Sequence, residues 1–384
     1  MKKNKIIILL MLLGFTTLTM AQEKAAGSFK KTLKVGGRIQ ADYEFLSRDK
    51  SGFEVNAFEF RRVQLAISGM ISPRIKYKLE TNFSHGDIGF RDAYIKYISK
   101  GYGNFIVGSS LEPTGINTLT SSKYITFFER SMLTSLKNFD WGAGLHYENF
   151  NLLDGKMTFQ FSLTNNGING EGFKDAHLEA GNNYIARITA VPLLDKEAQK
   201  VLHLGINFAD RPAKTLKFRS ENHFGDKYEY HFVGATGRQE LGLEMASTFG
   251  SVSLQGEYKT QTLSNDVDKD YQMAGFYIFG SYFLTGEYRP YKHGAFGRVK
   301  PIKDIDHGGF GAIELVARYS QMKATNDVLS VNAGMPKQID NISIGLNWYL
   351  TAHARIMYNY IITDDNNNVL GNLSGHLIRA AIDF

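Results

Sequence analysis

Two adjacent arginines, Arg61 and Arg62, interrupt a stretch that otherwise has the pattern of a β-strand. Guanidinium groups bind oxyanions through paired N–H donors, so both residues are candidate anion ligands. Val63, Leu65 and Ile67 alternate with polar or small residues, which places Arg62 on the polar face of the strand. Arg61 has the opposite phase, and the direction of its side chain stays open.

The element that positions these arginines is a strand with one apolar and one polar face. The preceding run Thr32–Leu46 alternates in the same way and places Arg38 and Gln40 on its polar face. Such strands fit a soluble β-sandwich, for example a periplasmic binding module, with the polar face in water. They also fit a membrane barrel, in which the polar face lines the lumen.

Alternating runs recur along the whole chain. Sixteen of them begin near residues 32, 58, 75, 89, 104, 140, 156, 183, 200, 238, 252, 271, 310, 340, 353 and 373. Each approaches the ~9–11 residues with which a tilted strand crosses a bilayer. Tight turns alternate with longer loops, and an even count returns both ends to one side of the membrane. The sequence therefore predicts an all-β fold, a transmembrane antiparallel β-barrel of about sixteen strands, although the long connection Glu287–Gly309 leaves a difference of one hairpin open.

The two ends of the chain fit an outer-membrane protein. Three lysines precede the apolar run 6–15, and small residues lead up to Ala21. This pattern predicts a signal peptide over residues 1–21 and a single barrel domain over residues 22–384. The terminal Phe384 ends an alternating strand, which resembles the signal that outer-membrane assembly recognises. We expect the outer membrane of a Gram-negative bacterium.

Composition excludes several classes of function. The chain has no cysteine, and therefore no disulfide, thiolate metal site or thiol nucleophile. Removing the three lysines of the predicted signal peptide lowers the formal net charge from +6 to +3. So small a charge does not favour a nucleic-acid partner, and any preference for anions must come from local placement. No cofactor is predicted.

The segment Leu111–Asn138 supplies further candidates. It is too long and too apolar for a solvated loop, because residues such as Phe127 need burial. Folding this third outer loop into the barrel would bury them and present Ser121, Ser122 and Lys123 to a narrowed pore. The alternative is a surface loop that contacts a neighbouring subunit.

A barrel also defines the two possibilities for Arg61. A lipid-facing arginine costs ~2–4 kcal/mol at the middle of the bilayer and little near its surface. Arg61 therefore either lies at the end of its strand, reaching toward headgroups, or is turned inward by a β-bulge.

A barrel enzyme is the rival hypothesis from another class of protein. It would need an activated serine beside a histidine, but His146, His203 and His353 have no serine or aspartate partner at a recognisable spacing. The run Asp364–Asn368 offers carboxylates for calcium, although a solvated acidic loop explains it more simply. No catalytic residue and no metal site are predicted.

Several blocks of sequence carry a resemblance to a known family. They are FRRVQLAISG, RDAYIKY, VGSSLEPTG with LTSSKYITFFERS, SYFLTGEYRPY with GRVKP, ELVARYSQ and SIGLNWYL. In this order they resemble the phosphate-selective porin O and P family. The resemblance implies a sixteen-stranded barrel, usually a homotrimer, in lipid and lipopolysaccharide, with the third outer loop folded inward. It also implies an anion path, lined by arginines and lysines, that ends at a central phosphate site.

Carried over to matching positions, the resemblance implies an anion site made of Arg38, Arg62, Asp92, Ser121, Ser122, Lys123 and Arg130. Less certain members of the anion path are Arg61, Lys217 and Arg219. Guanidinium and hydroxyl groups would donate to phosphate oxygens. Asp92 would accept the proton of a hydrogen phosphate ion, or form an ion pair on the wall with Lys96 or Arg38.

One stretch departs from the family pattern. Members with a pronounced arginine ladder carry a motif like RFRSR, where this chain has Lys217-Phe218-Arg219-Ser220-Glu221. Lysine keeps the charge but not the planar fork, and Glu221 would repel an anion. The predicted function is passive uptake of anions, with phosphate as the leading substrate. A weakly selective anion porin, or a channel for pyrophosphate or organic anions, is the alternative.

Overall fold

A computed structural model describes residues 29–384 except 85–87, 100, 136–140, 166–180, 213–214, 233, 266–269, 326–327, 330–331, 333 and 367–370. The predicted signal peptide, residues 1–21, lies outside the described residues. Within the described part of the chain, no helix is both long and apolar enough to span a membrane.

Strands account for most of the described chain. They are β1 Lys34–Arg48, β2 Glu54–Ser72, β3 Ile75–Asn82, β4 Gly89–Ile98, β5 Asn104–Leu111, β6 Trp141–Leu152, β7 Met157–Asn165, β8 Asn183–Asp195, β9 Lys200–Arg211, β10 Thr215–Arg219, β11 Lys227–His231, β12 Ala235–Phe249, β13 Val252–Asn265, β14 Tyr271–Phe283, β15 Tyr291–Lys292, β16 Ala295–Phe296, β17 Ala312–Ala324, β18 Gln338–Tyr349, β19 Ala354–Asp364 and β20 Leu373–Asp383. Short helices α1 and α2 cover Ile116–Leu119 and Met132–Ser135.

All strands except β10, β11, β15 and β16 form one closed barrel, so that sixteen described strands pair in chain order and β1 closes against β20. Each predicted run begins within four residues of the first residue of one of these sixteen strands. The predicted fold and strand number are confirmed.

The alternation along each strand separates two environments. On β1, Val35 and Phe45 are exposed on the outside, whereas Gln40, Asp42 and Glu44 are buried toward the lumen. An exposed apolar exterior around buried charges is the pattern of a barrel in lipid and the reverse of a soluble sandwich. The sandwich alternative is therefore wrong.

A β-bulge on β2 settles the direction of Arg61. Gln40 pairs with Arg62, but the next residue of β1, Ala41, pairs with Phe60, so that Arg61 is the extra residue. An extra residue bends its strand and re-aims its side chain. Of the two predicted possibilities for Arg61, the bulge is the right one.

The four remaining strands form two hairpins outside the barrel ladder. β10 and β11 pair within the connection from β9 to β12, and β15 and β16 pair within the connection from β14 to β17. The second hairpin, followed by a short 3₁₀ helix at Ile305–His307, explains the long connection noted in the sequence. Its extra residues form no further barrel strands among those described.

A large apolar cluster joins two of the loops to the wall. It contains Phe127, Met132 and Leu133 of the third outer loop, which connects β5 to β6. These side chains pack against the β10–β11 hairpin and against lumen-facing residues of β14, among them Tyr277 and Phe279. The apolar residues of the third loop are therefore buried within the protein, as their composition requires.

Candidate functional site

Arg38 joins the barrel wall to the third loop. Its NH1 donates to the hydroxyl of Ser121 at 3.3 Å and to that of Ser122, and its NH2 donates to Glu80 on β3 at 3.2 Å. Gln40 on the same face of β1 donates to the backbone oxygen of Ser122 at 2.9 Å. Three predicted site residues, Arg38, Ser121 and Ser122, are thus in direct contact.

The arginine pair converges on one carboxylate of the third loop, Glu129. Nε of Arg61 donates to Oε1 at 2.9 Å, NH2 of Arg62 donates to Oε2 at 3.2 Å, and NH2 of Arg379 on β20 donates to Oε1 at 3.0 Å. Burial by itself raises the pKa of Glu129, but the three guanidinium charges hold this pKa well below its usual range. Glu129 is therefore ionised, and nothing in the sequence patterns singles it out.

A second bulge lies on β4, two strands away from the first. Between Leu79 and Thr81 of β3 the register shifts by one residue, so that Arg91 and Asp92 of β4 together face Glu80. Like Arg61, Arg91 is an arginine at a bulge position. The sequence analysis predicts Asp92 but not Arg91 as a site residue.

Asp92 forms an ion pair on the wall, with a partner that was not predicted. Its Oδ2 lies 2.6 Å from Nζ of Lys78, and its Oδ1 accepts the indole N–H of Trp141 at 2.9 Å. Lys96 pairs instead with Glu148 at 2.6 Å. The two predicted partners, Lys96 and Arg38, are therefore wrong, because each is closer to another carboxylate.

A cavity of about 290 Å³ lies between this wall and the third loop. Six cations and two carboxylates line it: Arg38, Arg61, Arg62, Lys78, Arg91, Arg130, Glu80 and Asp92. The hydroxyls of Ser121 and Ser122 and the ring of Trp141 complete the polar and aromatic lining. This local excess of four positive charges, in a chain of small net charge, attracts anions and disfavours cations.

Lys123 lines a second cavity of about 370 Å³ that adjoins the first. The second reaches Lys34 at the start of β1, and the two cavities share Arg38, Gln64, Lys78, Glu80 and Ser121. Nζ of Lys123 lies 3.5 Å from Asp383, and burial together with the charge of Arg38 lowers the pKa of Lys123. The cationic lining therefore continues toward the end of the barrel at which β1 begins.

The remaining predicted residues differ in their positions. Arg130 lines the first cavity and donates to the backbone oxygens of Asn117 and Thr120 at 2.8 and 2.7 Å. Lys217 is exposed and pairs with Glu229 across the β10–β11 hairpin at 2.8 Å. Arg219 donates to the backbone oxygen of His223, and neither it nor Lys217 belongs to the described lining of the two cavities.

Glu221 does not act as the sequence suggests. Its carboxylate is buried and accepts from Arg318 at 2.5 Å, from Asn341 at 2.6 Å and from the backbone N–H of Met132 at 3.1 Å. Arg318 neutralises it, and the contact with Met132 fixes the third loop. Its charge is therefore paired within the protein, which weakens the predicted repulsion of a passing anion.

The histidines have partners that their spacing did not reveal. Nδ1 of His146 lies 2.7 Å from the hydroxyl of Ser162, and Nε2 of His203 lies 3.3 Å from Glu244. All four side chains are buried in the barrel wall. Of the acidic run weighed as a calcium site, Asn367 and Asn368 lie outside the described residues.

A closed sixteen-stranded barrel with an apolar exterior and a cation-rich cavity has the architecture of an outer-membrane porin. The family model described as phosphate-selective porin O and P matches residues 33–383, and the chain belongs to this family. It is an anion porin of the Gram-negative outer membrane, a channel and not an enzyme. The predicted family, location and non-enzymatic class are confirmed.

Known proteins resemble the chain over most of its length. Porin O of Pseudomonas aeruginosa is 27% identical over 382 residues, which covers 88% of this chain and 85% of that protein. An anion-selective porin from Comamonas acidovorans superposes with a TM-score of 0.60 at 12% identity, covering 92% of this chain and 100% of the other. The trimer form of OmpT from Vibrio cholerae superposes with a TM-score of 0.57 at 12% sequence identity, covering 93% of this chain and 100% of that chain. At such identities the two structures support the fold alone.

The position of Arg91 leads to a test of its role in the cavity. Its guanidinium carbon lies 4.4 Å from the centre of the Trp141 ring, which orients the group within the lining. We expect Arg91→Gln to lower the ratio of chloride to potassium permeability of the pore by about three- to tenfold, because one positive charge of the cavity lining is lost. Arg91→Lys keeps the charge and should stay closer to the wild type than Arg91→Gln does. Equal permeability ratios in Arg91→Gln and the wild type would contradict a role of Arg91 in anion preference.

Proposed function

We propose that the chain forms a water-filled channel for passive uptake of anions, with phosphate as its principal substrate. The observation that supports this best is the convergence of Arg38, Arg61 and Arg62 with Ser121 and Ser122 around one cavity. Guanidinium groups bind two oxygens of an oxyanion at once, and hydroxyls donate to a third. A spherical halide uses only part of such an array, whereas a tetrahedral oxyanion uses more of it.

The third loop is proposed to fold into the barrel and form the constriction. Contacts with widely separated strands support this. On β13, Nζ of Lys259 donates to the backbone oxygen of Thr114 at 2.5 Å, and on β19 the side chain of Asn359 accepts from the backbone N–H of Phe128 at 2.7 Å. Together with the contacts of Arg38 on β1, these bonds connect the loop to different sides of the wall.

The carboxylates in the lining fit a channel that releases its anion rather than a site that binds the anion tightly. Glu80 and Asp92 neutralise part of the positive charge, and conduction requires an anion to leave as well as to enter. The cavity of about 290 Å³ corresponds to roughly ten waters at ~30 Å³ each. An anion would therefore keep part of its hydration shell, and pyrophosphate or a small organic anion is the alternative substrate.

Bilayer recordings of the purified protein test this proposal. We expect phosphate to block chloride current at concentrations far below that of chloride, and to do so more strongly than acetate at equal charge. Stronger block by pyrophosphate would favour the alternative substrate. Currents that phosphate leaves unchanged would contradict a phosphate site and indicate a weakly selective anion porin.

We also infer a homotrimer in a membrane that contains lipopolysaccharide. The family resemblance and the trimer form of OmpT support this assembly. The same recordings test it, because the three pores of one inserted trimer should close in three equal conductance steps. Insertion events whose whole current closes in one step would contradict it.

A further inference from the structure

We propose that Glu129 is a tethered carboxylate ligand of the arginine pair, which competes with the transported anion and thereby weakens its binding. This inference rests on the proposed function, because it concerns the same cationic site. Glu129 belongs to the protein, so its local concentration is fixed and every anion in the site meets it.

The coordination of Glu129 is that of a bound oxyanion. Oε1 accepts from Nε of Arg61 at 2.9 Å, from Arg379 at 3.0 Å and from NH1 of Arg62 at 3.4 Å. Oε2 accepts from NH2 of Arg62 at 3.2 Å and from NH2 of Arg61 at 3.4 Å. Three guanidinium groups therefore surround one carboxylate, in the way that such groups surround a phosphate.

Arg61 and Arg62 contact Glu129 and also line the cavity. Arg61 and Arg62 line the cavity of about 290 Å³, whereas Glu129 is absent from its described lining. An anion in the cavity thus meets the same two guanidinium groups that bind Glu129. Because N–H donors and positive charge are shared, tighter bonding to Glu129 leaves less attraction for the anion.

Contacts of the backbone also hold the third loop next to this carboxylate. NH1 of Arg318 donates to the backbone oxygen of Glu129 at 3.0 Å, and NH1 of Arg379 donates to that of Phe128 at 2.5 Å. Asn359 accepts the backbone N–H of Phe128 at 2.7 Å. Replacing Glu129 by the nearly isosteric glutamine leaves these backbone contacts in place, removes the negative charge and replaces one acceptor oxygen by an NH2 donor.

The test compares Glu129→Gln with the wild type in bilayer recordings. We expect the phosphate concentration for half-block to fall about tenfold and the ratio of chloride to potassium permeability to rise, with conductance in potassium chloride alone little changed. Unchanged block and selectivity would overturn the proposal. Weaker block with a larger conductance would also overturn it, because Glu129 would then be only an anchor of the loop.

Glu221→Gln is the matched control. Glu221 is also buried and contacts the third loop through the backbone of Met132, but its arginine partner, Arg318, lies outside the described lining of the cavity. If Glu221→Gln tightens block as much as Glu129→Gln does, the effect is not specific to the arginine pair and the proposal fails. A heat-modifiable band on a denaturing gel shows that each variant is folded.

Two further measurements cover the remaining outcomes. If wild-type protein shows no phosphate block, the proposed substrate fails, yet the permeability ratio of Glu129→Gln still tests the competition. If Glu129→Gln does not fold, Glu129→Asp replaces it, since a shorter carboxylate reaches fewer of the three arginines. Block by phosphate should then be tighter than in wild type, and equal or weaker block would overturn the inference.

Discussion

Replacing Arg38 by glutamate should abolish the anion preference of the pore. Arg38 lines both adjoining cavities and contacts Ser121 and Ser122 directly. Two unit charges 4 Å apart interact by about 4 kcal/mol at an effective dielectric constant of about 20, and pore water weakens this several-fold. If a difference of about 1.4 kcal/mol in the free energy of the anion remains, the permeability changes tenfold. We therefore expect the ratio of chloride to potassium permeability to fall by at least about tenfold.

The zero-current potential across a bilayer in a potassium chloride gradient measures this ratio. Arg38→Gln should give an intermediate value, because it removes one charge instead of reversing it. Arg74→Glu is the matched control, since Arg74 is an exposed arginine at the turn between β2 and β3 that donates to Tyr97 at 3.1 Å. A zero-current potential that Arg38→Glu leaves at the wild-type value would show that Arg38 does not control the anion preference of the pore.

Replacing Arg379 by methionine should destabilise the barrel and release the third loop. Arg379 is fully buried, and it donates to both carboxylate oxygens of Asp42 at 2.7 and 2.6 Å. It also donates to Glu129 at 3.0 Å and to the backbone oxygen of Phe128 at 2.5 Å. Breaking a buried ion pair by removing one partner costs about 3–5 kcal/mol, because the other charge is left uncompensated.

Urea unfolding of the protein in detergent, followed by gel migration, measures the loss of stability. The double variant Arg379→Met, Asp42→Asn should recover part of it, since the stranded carboxylate is then neutral. Single-channel conductance should rise in both variants, because neither restores the contact with Phe128. If Arg379→Met is as stable as the wild type, the ion pair with Asp42 contributes little to stability. If its conductance equals that of the wild type, other contacts hold the third loop.

Those parts of the fold that depend on local alternation are predictable from the sequence. Lipid on one side and water on the other impose a period of two on every strand, so the direction of Arg38 and Arg62 follows from their neighbours. The contact of Ser121 with Arg38 is not local. The contact is nevertheless predictable, because the apolar residues of the third loop require burial and because the family resemblance implies that this loop folds inward.

The parts that escape prediction depend on register and on long-range contacts. Arg91 enters the cavity through a bulge, whose signal in the sequence is a change of apolar phase between Phe90 and Ile95. The same change of phase occurs at Arg61. For that reason the sequence did not decide whether the Arg61 side chain points toward lipid or toward the lumen. Glu129 meets arginines from both ends of the chain, Arg61 and Arg379, and no spacing reveals such a contact.

The bulges at Arg61 and Arg91 have a consequence for how such a channel diversifies. A regular barrel strand gives half of its residues to lipid, so a new pore charge normally replaces an older pore residue. An inserted residue avoids this exchange: the pore gains a side chain, and the outer surface keeps its apolar residues on both sides of the insertion. Each bulge thus gives the lumen one cation more than strict alternation allows, and single-residue insertions would offer this protein a route to new selectivity that leaves its membrane-facing surface intact.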